Sequence, residues 1–110
     1  MDRTPFSLDG KRALVTGGGR GIGRASAVAM AESGAEVVVT SRTSAQLDET
    51  VDQIRAQGGK ATSIVCDISD PGAVRDLNKQ LLADNGKIDI LVNNAAISPI
   101  VKGIEKVEPE

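Results

Sequence analysis

The segment that most constrains this chain is Thr16-Gly17-Gly18-Gly19-Arg20-Gly21-Ile22-Gly23. It follows an apolar run, Ala13-Leu14-Val15, and opens a helical pattern carried by Ile22, Ala25, Ala29 and Met30. A glycine turn between a strand and a helix lets the backbone come close to a pyrophosphate. The unpaired N–H groups of the first helical turn then point at the negative charge. The spacing is T-G-x-x-x-G-x-G, not G-x-G-x-x-G, because Ile22 stands where the latter pattern has its third glycine. A glycine-rich loop can also be no more than a tight turn; the strand before it and the helix after it are the context an anion-binding turn requires.

The rest of the chain alternates strand and helix. Residues 1–10 read as a lead-in anchored by Phe6, with Asp9-Gly10 as a turn before a short buried strand at 12–16. The helix over about 21–33 is expected to turn small residues (Ala25, Ser26, Ala29) inward, and Gly34 supplies its C-terminal cap. Ala35 to Thr40 holds three consecutive valines without polar alternation, the pattern of a strand covered on both faces of a parallel sheet. Thr43-x-x-Gln46 reads as a capping box for a helix that buries Leu47, Val51 and Ile54 and ends at Gly58-Gly59. A third strand runs from Ala61 to Cys66. Asp70-Pro71 then supplies an N-cap and a first-turn proline for a helix that buries Val74, Leu77 and Leu81 and closes at Gly86. A fourth strand covers Ile88 to Val92, and an irregular tail follows from Asn94. This order predicts an α/β fold: a Rossmann-like open parallel sheet of four strands in the order 3-2-1-4, with three helices. The strand-4 crossover puts the third helix on the sheet face opposite the first two.

Composition removes several function classes. Thirteen Lys and Arg face fifteen Asp and Glu, a net charge of −2 with no basic block, so neither nucleic acid nor an anionic membrane surface is an expected partner. No apolar run approaches the roughly 18 residues of a spanning helix, and the single cysteine makes a reducing cytoplasm the expected compartment. The sequence has no His, Trp or Tyr, which excludes His-based catalysis, His metal ligands and a tyrosine general acid within the 110 residues. Cys66, at a strand end, reads as a small buried hydrophobe and not a nucleophile. Asp67 and Asp70 alone make weak metal ligands, and no metal site is assigned. Asp89 reads as a solvated edge position.

Three motifs at the element boundaries give the chain its resemblance to the N-terminal part of the short-chain dehydrogenase/reductase family: Thr16-Gly17-x-x-x-Gly21-x-Gly23, Cys66-Asp67 after the third strand, and Asn93-Asn94-Ala95-Ala96 after the fourth. The family's glycine at the last of these positions is Ala96 here. The resemblance implies that Gly17, Gly19, Gly21 and Gly23 shape the pyrophosphate turn, with Ile22 donating its backbone N–H. It implies that Asp67 holds the adenine amino group beside the Ile68 backbone, and that Asn94 and Ala95 line the nicotinamide ribose, while Asn93 stabilises the central sheet.

The choice of nicotinamide cofactor turns on the end of strand 2. An NAD site needs a carboxylate there for the ribose 2′-hydroxyl. The chain reads Thr40-Ser41-Arg42, with Glu36 at the wrong end of the strand and Asp48 inside the next helix. Either Arg20 or Arg42 alone reads as a solvated surface charge. Together, at the family's two positions for phosphate recognition, they imply a preference for NADP(H) over NAD(H), since a guanidinium meets a 2′-phosphate with charge-assisted hydrogen bonds.

The family's catalytic serine and Tyr-x-x-x-Lys cannot be assigned in this sequence, and Glu108-Pro109-Glu110 resembles the first turn of a helix cut as it begins. The chain is therefore expected to be a single, incomplete dinucleotide-binding domain over 1–110. Hydride transfer to a small carbonyl or alcohol substrate, and homo-oligomer formation, are expected of a full-length form only. A non-catalytic nucleotide-binding module and a non-functional remnant stand as alternatives. Strand 4 is expected to present an open edge, and valines of strands 2 and 3 to lie partly bare on the face carrying only the third helix, making the isolated chain prone to self-association.

Overall fold

A computed structural model describes residues 7–84 and 87–94. Its elements run β1 (Arg12–Thr16), α1 (Gly21–Glu32), β2 (Glu36–Ser41), α2 (Ser44–Ala56), β3 (Lys60–Val65), α3 (Pro71–Asp84) and β4 (Ile90–Asn93). The four strands form one sheet in the order β3-β2-β1-β4. All three pairings are parallel, with Leu14 opposite Val38 on one side and Leu91 on the other. The expected fold class, strand order and helix count are those observed.

Alternation along the central strands divides the core in two. Ala13, Val15, Val37 and Val39 face α1 and α2 and pack with Ala27, Leu47, Val51 and Ile54. Leu14 and Val38 face the other way and pack with Cys66, Val74, Leu77 and Leu81. Leu14, Leu47, Ile54 and Leu77 are the largest fully buried apolar side chains, each contributing about 1.5–3 kcal/mol by its removal from water.

The punctuation follows the sequence. Gly34 and Gly58 take positive φ beyond the ends of α1 and α2. Asp70 caps α3, its Oδ1 accepting the Gly72 N–H at 2.9 Å, and Pro71 opens the helix where no N–H is needed. Cys66 lies one residue beyond β3, buried, its N–H donated to the Ser41 carbonyl.

Four expectations need correction. The inward residues of α1 are Gly23, Ala27 and Ala31; Ala25 and Ala29 are exposed, and Ile22 is 75% exposed. Small apolar residues surround this helix on nearly every side, so its periodicity has little contrast, and its phase is set by Gly23, which must abut the turn. Second, Thr43 is the N-cap residue of α2 but makes no side-chain capping bond. Gln46 instead lies over Gly19, while the Ser41 hydroxyl accepts the Thr43 N–H at 3.2 Å. Third, the α3 face is not bare at β2, because Val38 is fully buried. The exposed valine is Val65, 56% exposed, and its register with Ser41 puts it on the α1–α2 side. Fourth, Asp89 is not merely solvated. Its Oδ2 accepts the Arg12 backbone N–H at 2.9 Å, and Lys87 lies 3.4 Å from Oδ1.

Candidate cofactor-binding site

The carboxyl ends of the parallel strands meet at one edge of the molecule, and the glycine turn fills the gap between β1 and α1. Gly17 takes φ +67°, and its N–H and that of Gly18 both reach the Thr40 carbonyl, at 2.8 and 3.3 Å. A Cβ at Gly23 would collide with the Gly17 carbonyl oxygen and come within 3.0 Å of Asn94 Nδ2. Only glycine lets the helix start this close to the turn. Gly21, Ile22 and Gly23 form the first turn of α1, whose N–H groups have no intrahelical acceptor. No acidic residue stands there to compete with a bound anion.

Beside the turn lies a cleft of about 370 Å³ lined by Gly17, Thr40, Ser41, Arg42, Cys66, Asp67, Ile68 and Ser69. It brings together four of the expected site residues: Gly17, Arg42, Asp67 and Ile68. Asp67 Oδ1 accepts from the Ser69 N–H at 2.9 Å and the Ser69 hydroxyl at 2.6 Å. These bonds hold its carboxyl below the ordinary aspartate range, assisted by the Arg42 charge. Oδ2 has no hydrogen-bond partner among the described residues, so it is the oxygen left to receive a ligand donor. Arg42 is exposed and makes no hydrogen bond or ion pair among the described residues. Burial pushes the Cys66 thiol up, against the Thr40 hydroxyl, which favours the thiolate; the carboxylates of Asp67, Asp70 and Asp76 push it up further.

The remaining expected residues lie around this centre. Gly19 sits in the turn near Ser41 and Gln46. Arg20 is the N-cap residue of α1, exposed, and outside the lining of the cleft. Asn94 is tied to β1, its N–H donated to Thr16 Oγ1 at 2.9 Å, with its amide against Gly17 and Gly23. Asn93 belongs to the sheet, as expected, and its Oδ1 accepts from the Thr16 hydroxyl at 3.1 Å. Ala95 lies outside the described residues.

Two residues escaped the sequence reading. Arg24, on α1, donates through Nε to Thr50 Oγ1 at 2.9 Å and through one terminal nitrogen to the Gly19 carbonyl. Thr50, fully buried on α2, donates to the Gly18 carbonyl at 2.8 Å. Their sequence signal is faint: an arginine in a helix reads as solvated, and its partner lies 26 residues away.

A parallel sheet in the order 3-2-1-4, with a glycine turn at the carboxyl end of its first strand, defines a dinucleotide-binding α/β protein. The family model for short chain dehydrogenases matches residues 11–110, and the chain belongs to that family. Relatives include an uncharacterized oxidoreductase of Mycobacterium tuberculosis, 47% identical over 81% of this chain and 34% of its own length. The short-chain dehydrogenase/reductase homolog YusS of Bacillus subtilis is 45% identical over 80% of this chain and 82% of its own length. Among solved structures, a metagenomic short-chain oxidoreductase in complex with NADP superposes with a TM-score of 0.79 at 42% identity, covering 82% of this chain and 41% of that one. The chain spans about a third of the length of other curated relatives, the Mycobacterium tuberculosis oxidoreductase among them.

Proposed function

We propose that this chain is the NADP(H)-binding portion of a short-chain reductase that moves a hydride between the nicotinamide and a carbonyl or alcohol substrate. The observation that carries the cofactor choice is Arg42. It stands one residue beyond β2, on the lining of the cleft, with no hydrogen bond or ion pair among the described residues, where a carboxylate would be needed to receive a ribose 2′-hydroxyl. A guanidinium there favours a 2′-phosphate. Arg20 would approach the same phosphate from the turn. The donors around it fit the rest of the nucleotide: the N–H groups of the turn and of Gly21, Ile22 and Gly23 for the pyrophosphate, and Asp67 Oδ2 with the Ile68 backbone for the adenine. Asn94 and Ala95 would flank the nicotinamide ribose. The NADP complex of a related oxidoreductase supports the same choice. When bound, the nicotinamide supplies the hydride chemistry; this chain's own residues bind and orient it.

Proton delivery is not assigned to this sequence, which contains no tyrosine. A non-catalytic nucleotide-binding module is the second reading; YusS is a relative matched over 82% of its own length. Substrate binding and homo-oligomer formation belong to the reading of a longer form, and self-association to that of the isolated chain. No helix among the described residues is long and apolar enough to cross a membrane.

The test is a titration with NADPH and NADH on wild type and Arg42→Ala. Wild type should bind NADPH about tenfold or more tighter than NADH, and Arg42→Ala should remove that preference. An unchanged ratio rejects the phosphate role, and the absence of any binding rejects the nucleotide reading as a whole.

A further inference from the structure

We propose that Arg24 and Thr50 are positioning residues that aim the backbone N–H groups of the glycine turn at the pyrophosphate. The inference rests on the nucleotide-binding reading and extends it to residues that touch no ligand.

The N–H groups of Gly17 and Gly18 are both committed to the Thr40 carbonyl. The Gly18 carbonyl is held by Thr50 Oγ1 at 2.8 Å, and the Gly19 carbonyl by the Arg24 guanidinium. A trans peptide sets its C=O and the following N–H in opposite directions. Fixing the Gly18 oxygen toward α2 therefore turns the Gly19 N–H away from α2, and fixing the Gly19 oxygen does the same for the Arg20 N–H. Neither of these two N–H groups has a partner among the described residues. The turn thus shows donors on one side and hides its acceptors on the other. A carbonyl swung to the ligand side would meet the phosphates with like partial charge.

The holding groups are themselves held. Arg24 Nε donates to Thr50 Oγ1 at 2.9 Å, so one hydroxyl accepts from the arginine while donating to the turn. The same guanidinium reaches Glu49 Oε1 at 2.9 Å and the Gln46 carbonyl at 3.3 Å. The Thr50 hydroxyl also lies 3.3 Å from the Gln46 carbonyl, but the Gly18 oxygen is the nearer acceptor. Arg24 and Thr50 lie outside the lining of the cleft, so an effect of either on binding must pass through the turn.

The experiment compares two nucleotides that share a 2′-phosphate, of which only the first carries the pyrophosphate and the nicotinamide riboside beyond it: NADPH and adenosine 2′-monophosphate. Wild type, Thr50→Val, Thr50→Ser and Arg24→Lys are each titrated with both. Thr50→Val should weaken NADPH about tenfold and leave the monophosphate within about twofold, and Thr50→Ser should restore NADPH. Arg24→Lys keeps the charge but loses the forked donor, so it should show the same selective loss even if Thr50→Val does not fold. Equal weakening of both nucleotides, or of neither, overturns the inference while the nucleotide reading survives. Failure of wild type to bind either nucleotide overturns both.

Discussion

Gly23 lies against the carbonyl oxygen of Gly17 so closely that no side chain fits between them. The first turn of α1 and the end of β1 are thereby pressed into one unit, with Asn94 closing its third side. Gly23→Ala should destabilise the chain by about 1–3 kcal/mol, the usual cost of overpacking, and weaken NADPH binding in parallel. Gly10→Ala serves as the comparison. Its added Cβ meets nothing within 4 Å and its φ of +80° makes the change unfavourable. It lies away from the cleft, so stability should fall while the nucleotide titration stays unmoved.

Thr16 joins the two strands that flank the site. Its buried hydroxyl accepts the Asn94 N–H and donates to Asn93. Thr16→Val preserves shape and deletes both bonds, leaving the Asn94 N–H without its acceptor. The expected loss is about 1–3 kcal/mol in denaturant unfolding, with most of it recovered in Thr16→Ser. An unaltered midpoint for Thr16→Val would show that water replaces the hydroxyl at no cost.

Asp89 gives the chain a predictable acid response. The Arg12 N–H holds its carboxyl below the ordinary aspartate range, with Lys87 assisting. A group whose pKa is lowered on folding contributes stability above its unfolded value, near 3.9. It loses that contribution as pH falls through the folded value. Stability should therefore fall as pH drops below about 4. Asp89→Asn should flatten that part of the profile while lowering stability at neutral pH. A profile of the same slope in wild type and variant would remove Asp89 as a source. Asp67 shifts in the same direction, through Ser69, and adds to the same window.

Cys66 should behave as a protected thiol. It is 4% exposed, and burial raises its pKa, which lowers the thiolate fraction available for reaction. An aromatic disulfide reagent at neutral pH should label the native chain orders of magnitude more slowly than the urea-unfolded chain. Because Cys66 lines the cleft, saturating NADPH should slow labelling further. Native labelling as fast as unfolded labelling would mean that the β3 end opens readily.

The fold was legible where residues punctuate it. Gly34, Gly58 and Asp70-Pro71 mark helix ends that local geometry enforces, and the valine run of β2 announces a strand with both faces covered. Element boundaries shifted by a residue or two; β4, for example, begins at Ile90 and not Ile88. Ile88 still packs in the α3-side core. The rotational phase of α1 was not legible, because alanine at 25, 27, 29 and 31 looks alike on every face. Glycine spacing and the Cys66-Asp67 pair located the cleft. The Arg24–Thr50 pair stayed hidden because its meaning depends on two helices meeting across a turn. The bond from Arg12 to Asp89 spans 77 positions and has no local signature.

The strand order also has a reading in time. Three strands and two helices, from Arg12 to Val65, form a contiguous stretch that lies on one side of β4. Chain synthesis delivers that stretch first, with the glycine turn, Arg24, Thr50 and Arg42 already within it. The turn and the Arg42 side of the cleft can thus be assembled by neighbours in sequence. Only afterwards does β4 arrive on the far side of β1, bringing Asn93 and Asn94 to the hydroxyl of Thr16. The order of the strands separates an early step, building the glycine turn and its supports, from a late one that closes the turn with Asn94.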